Sequence, residues 1–199
     1  MVQASIVLGW IGLIIYAIIF VTFQKMLKHK EHSLLHLLMA FMYSAWLPLP
    51  IVLYQLLDFE ALLVGTIFGY VYLIMMILSM SLQTSHIIHI LKQDESIEWE
   101  ERAEWMMETL SGTTEGLANL LKSIWALFLA MAFWQLDQPI MAISLLLFVL
   151  MGVYVLLLLI RSNTYKQINI LKKIKGNPIV FNIENIIFFT ILMVYLTIQ

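Results

Sequence analysis

The sequence predicts an all-α, polytopic membrane protein: a bundle of six transmembrane helices with both termini extracytoplasmic. Three observations carry this. Hydrophobic residues make up 62% of the 199 residues and charged ones only 12%, whereas a soluble globular chain is about half apolar and about a quarter charged. The apolar residues fall into six blocks, each near or above the roughly 20 residues that cross a bilayer's hydrocarbon core. The Lys and Arg residues gather in, or within about two turns of, the connectors after blocks one, three and five.

The first block covers residues 3–24. With no basic region before it and no small-residue cleavage site after it, it reads as a span and not as a cleaved signal peptide. Block two, residues 33–57, contains Pro48 and Pro50, which should kink or break its later half by removing backbone donors. The turn Asp58-Phe59-Glu60 leads into block three, residues 61–91. At about 100° per residue, Tyr72, Ser79, Gln83, His86 and Gln93 lie along one side of that helix, with Met75 and Met76 beside them. Lipid offers such a stripe no partner, so it should face protein or water. Gly65 and Gly69 sit near the same side and point to close helix packing more than to dimerisation.

Blocks four and five, residues 117–135 and 139–161, form a hairpin around Leu136-Asp137-Gln138. Gly176-Asn177-Pro178 closes one helix and opens block six, residues 179–198. No internal repeat is visible, so the inverted symmetry of many transporters has no support.

Orientation follows from Lys25, Lys28, Lys30, Lys92, Arg102, Lys122, Arg161, Lys166, Lys172, Lys173 and Lys175, all on one side. The positive-inside rule makes that side cytoplasmic, in a plasma or inner membrane. The connector 92–116 is acidic, with eight Asp and Glu against Lys92 and Arg102. The connector 162–178 is basic. Trp99, Ala103, Met106 and Leu110 share a helical face in the acidic one, which is expected to dock over the bundle's mouth against Lys166, Lys172, Lys173 or Lys175.

All five histidines lie at the cytoplasmic ends of blocks two and three. His29, His32 and His36 share a wedge of one helix if that helix begins before His29, and His86 and His89 are one turn apart on the next. Imidazole is the commonest protein metal ligand, so His32, His36, His86 and His89 are candidate ligands for a transition metal ion such as zinc or non-haem iron. His36 and His86, at similar depth, are also candidate axial ligands for a haem. The bland alternative is that imidazoles at an interface bond to headgroups, water or carbonyls.

Gln83, Asn119, Lys122, Asn182, Glu184 and Asn185 complete a candidate polar pocket on the same side. Glu115, Asn119 and Lys122 share a face at spacings of four and seven. Lys122 and Glu184 lie at comparable depth and can pair, although Lys122 is expected to snorkel to water on its own stem.

There is no cysteine, which excludes disulfides and thiolate chemistry. Glycine-rich phosphate loops, a GxSxG elbow, an HExxH helix and a Glu-x-x-His pairing are absent as well. Basic patches for nucleic acid are missing, because topology accounts for the lysines. Two functions remain in front: a metal- or haem-dependent membrane protein acting on a lipid, a quinone or electrons, and a non-catalytic accessory subunit that docks a protein partner at the cytoplasmic face. A small transporter ranks last, because the outer half of the bundle is poor in polar groups.

Overall fold

The computed structural model describes residues 1–93, 99, 101–102, 105, 108–165 and 171–199, with backbone alone for Lys172 and Pro178. The described residues are helical, without strands, and six helical segments are long and apolar enough to cross a membrane. Span one is α1 (Val2–Lys28). Span two is divided into α2 (His32–Ala45) and α3 (Leu49–Leu57). Span three is α4 (Leu62–Leu91). Span four begins as a wide π-type helix, Glu108–Glu115, and continues as α5 (Gly116–Gln135). Spans five and six are α6 (Pro139–Ser162) and α7 (Pro178–Ile198).

Local chemistry sets the boundaries. Pro48 and Pro50 interrupt span two, and the break is bridged by tight turns, with Leu47 N–H on Ser44 and Leu49 N–H on Trp46. Asp58 and Asp137 take positive φ, 41° and 53°, at the two short turns distant from the lysines; aspartate is among the residues that tolerate this left-handed region best. Asn177 caps α7 by accepting from Ile179 N–H at 3.0 Å, with Pro178 at the first helical position. α2 begins at His32, so His29 caps α1 from the connector and does not share a helix with His32 and His36.

The helices pack in chain order, α1 on α2, α2 on α4, α4 on α5 and α5 on α6, and α7 lies against α1 and α6. Its inner face meets side chains from every other span. Phe189 stacks on Trp46 with centroids 3.7 Å apart, Phe188 meets Trp125 and Phe148 edge-on, and Tyr195 meets Phe133. Met193 seats on Gly9 of α1.

Several close approaches require glycine. A Cβ at Gly12 would lie 2.4 Å from the Trp46 indole nitrogen, and one at Gly69 would lie 2.7 Å from the Trp125 ring. The glycines of α4 thus let it close on α5, with Gly65 against Phe128. Outward-facing apolar residues such as Val21 and Ile140, about four-fifths exposed, form the belt expected of a surface solvated by lipid.

Candidate functional site

The polar residues turned inward form two levels at the end of the bundle where the lysines gather. The deeper level is built by α5 and α7. Lys122 is 1% exposed and the Glu184 side chain 9%. The Lys122 ammonium donates to Glu184 Oε2 and, at 3.1 Å, to Asn185 Oδ1. Asn185 Oδ1 also accepts from the Tyr72 hydroxyl at 2.9 Å, while its Nδ2 donates to the Tyr43 hydroxyl at 2.7 Å. Lys122 Nζ lies 5.6 Å from the Tyr72 ring centroid and 5.8 Å from that of Phe188, close enough for both rings to attract the ammonium.

Snorkelling is what the sequence predicts for Lys122, and the structure corrects it. The stem turns inward because α7 presents a carboxylate and an amide where the ammonium ends. Taking a charge out of water is tolerated only when such partners replace hydration. Tyr16 adds a nearby tie, donating its hydroxyl to the Asn182 carbonyl at 2.7 Å.

The shallower level lies about two turns along α5, at Glu115. Its Oε1 accepts from Gln83 Nε2 at 2.5 Å and from the Ser79 hydroxyl at 3.4 Å. Gln83 also donates to the Ser79 oxygen at 2.9 Å, and Ser79 lies 3.3 Å from the Leu110 carbonyl. One hydroxyl proton serves Leu110 or Glu115 but not both at once, so Gln83 is the constant donor to the carboxylate. Asn119 Nδ2 bonds back to the Glu115 carbonyl at 2.9 Å. The π-type segment ends at Glu115, and such wide turns recur where a helix must re-aim a functional side chain.

A cavity of about 920 Å³ opens above these levels. Its polar lining includes Gln83, Glu115, Asn119, His36 and Asn182, and its apolar walls include Phe23 and Leu27 of α1, Met39 of α2, Leu158 of α6 and Phe181 of α7. Arg161 also lines it and spends one N–H on the Ile174 carbonyl. Tyr154 stacks on Phe181, linking α6 to α7 beside the cavity.

The structure separates the sequence's candidate residues. His32 and His36 line the cavity, and His36 Nδ1 lies 2.7 Å from the His32 carbonyl, which makes Nδ1 a donor. His89 is exposed and meets Trp99 edge-on at 5.8 Å. His86 is half-buried and is not part of the cavity wall. Among the described residues, no three His, Asp or Glu side chains form a group that could hold a metal ion. The metal expected at His32, His36, His86 and His89 therefore finds no ligand group there.

Gln83, Asn119 and Asn182 meet the cavity, while Lys122, Glu184 and Asn185 form the buried level below it. Tyr43 and Arg161 join the site from outside the expected set. Glu115 joins it on the helical face it shares with Asn119 and Lys122; Tyr43 carries no such signal. Of the expected docking face, Ala103 and Met106 lie outside the described residues, as does Lys166. Trp99 is half-buried, with the Arg102 guanidinium 4.8 Å over its ring.

The chain matches no known protein-family model, no curated protein and no solved structure.

Proposed function

We propose that this multi-pass membrane protein takes up an amphipathic molecule, a lipid or a quinone, from the leaflet at its lysine-rich end. The polar end of the ligand meets Glu115, Gln83, Asn119 and His36, and its apolar part lies along Phe23, Met39, Leu158 and Phe181. By the distribution of Lys and Arg, that leaflet is the cytoplasmic one.

The observation that carries this reading is the make-up of the cavity. About 920 Å³ is at the upper end of the range of small-molecule sites, and its lining combines apolar walls with a few polar groups. Binding is favoured over passage because the inward-facing polar groups of the site stop at Asn185, Tyr72 and Tyr43. Beyond them the interior is Trp46, Phe188, Phe189 and Leu192, all without exposed surface. The reading needs no metal at the histidines.

The test is solvent extraction and mass spectrometry of protein purified in mild detergent. A lipid or quinone should be recovered near one per chain, and Met39→Trp, which narrows the cavity at its apolar wall, should sharply lower its recovery. No retained molecule, or equal retention by a folded Met39→Trp variant, would contradict the proposal.

A further inference from the structure

Resting on that reading, we propose that the cavity selects an amphiphile whose polar end is a primary ammonium, held by Glu115. The argument starts from which charges are already committed. Lys122 lies in the buried level below the cavity, and its ammonium is held by Glu184 and Asn185 with almost no exposed surface. It does not line the cavity, so it does not meet an anionic ligand there. The shallower level is different. Glu115 uses Oε1 to accept from Gln83 and Ser79, whereas Oε2 takes no donor among the described residues and is not among the fully buried atoms. Glu115 lines the cavity, so Oε2 is left to face it.

A second acceptor lies one turn further along α5. Asn119 commits its Nδ2 to the Glu115 carbonyl, and its Oδ1 takes no donor among the described residues. The cavity floor thus presents a carboxylate oxygen and an amide oxygen, both acceptors, on half-buried side chains. A carboxylate there is costly until it meets a donor, and a charged donor compensates it best. An ester, a phosphate or a carboxylate would set acceptor against acceptor. A primary ammonium supplies the opposite charge and three N–H donors, matching both oxygens with one to spare. Trimethylammonium carries the charge without any N–H.

Two molecules share this chemistry: an aminophospholipid and a simple long-chain amine. Arg161 separates them. It keeps four of its five N–H donors after the bond to Ile174 and has no acidic partner among the described residues. Only an aminophospholipid brings a phosphate that could use them.

The experiment is native mass spectrometry of the full chain in detergent, with phosphatidylethanolamine, phosphatidylcholine, phosphatidylglycerol and a long-chain primary amine added in competition. Ammonium ligands should be retained at least about tenfold over the other two, because a site built to bond N–H groups rejects analogues that lack them. Glu115→Gln should bring that ratio close to one. Arg161→Leu should weaken phosphatidylethanolamine alone if a phospholipid is the ligand, and leave both ammonium ligands unchanged if it is a simple amine. Equal retention of all four, lowered together in Met39→Trp, would overturn the ammonium selection and leave the cavity reading standing. Retention of none would overturn both. A preference that survives Glu115→Gln would remove Glu115 from the proposal, and the wild-type comparison decides selection even if that variant does not fold.

Discussion

Lys122 and Glu184, separated by 62 residues of chain, meet inside the bundle with their side chains 1% and 9% exposed. The pair joins span four to span six, and Asn185 extends it to Tyr72 of span three and Tyr43 of span two. Removing one partner leaves a charge buried without compensation, which costs about 3–5 kcal/mol, while removing both is close to neutral. Lys122→Met and Glu184→Leu should therefore each lower thermal stability sharply, and the double variant should recover most of the loss. Additive losses would mean that the two groups do not depend on each other.

The two tyrosines of this network should differ. Tyr43→Phe removes the acceptor of Asn185 Nδ2 and leaves a buried donor unsatisfied, at a cost of about 1–3 kcal/mol. Tyr72→Phe removes one donor to an oxygen that Lys122 still serves, so its cost should be the smaller, about 0.5–1.5 kcal/mol. Chemical denaturation of the two variants side by side measures the order, and the reverse order would contradict the assigned bonds.

Glycine packing supplies a steric prediction. Gly12→Ala places a methyl group against the Trp46 indole, which is itself fixed by the bond to the Gly9 carbonyl at 3.1 Å and by the stack on Phe189. Overpacking of this kind costs about 1–3 kcal/mol. Gly112→Ala meets nothing within 4 Å and should change stability by less than about 0.5 kcal/mol. Comparable effects at the two positions would place Gly12 away from Trp46.

Topology is testable because the chain contains no cysteine. Single cysteines at Asp58 or Asp137 should react with an impermeant maleimide from outside intact cells, and those at Glu101 or Lys173 only after permeabilisation. The opposite pattern would place the cavity on the outer leaflet.

Much of the fold was legible because membrane-spanning length is a strong signal: six long apolar blocks correspond to six spans. The proline break, the glycine contacts of α4 and the Asn177 cap follow from local rules that hold in lipid as in water. The site was less legible. Depth along the spans put Lys122 near Glu184, but depth says nothing about rotation, and the position of α7 across the other spans turned Lys122 inward. Gln83 faces the interior, and steps of about 100° then carry His86 to its flank and His89 well away from it. A shared helical end is therefore not a shared site. The face shared with Asn119 and Lys122 pointed to Glu115, but the wide turn that delivers it has no clear sequence signature.

The central claim is that one defined amphipathic molecule occupies the cavity, and site-specific photocrosslinking in native membranes tests it most directly. A benzophenone side chain at Leu158 lines the cavity, whereas one at Ile140 faces outward and is 80% exposed. The account predicts a single, competable adduct mass at position 158 and the broad mixture of bulk lipids at position 140. The same mixture at both positions, or no adduct at 158, would contradict it.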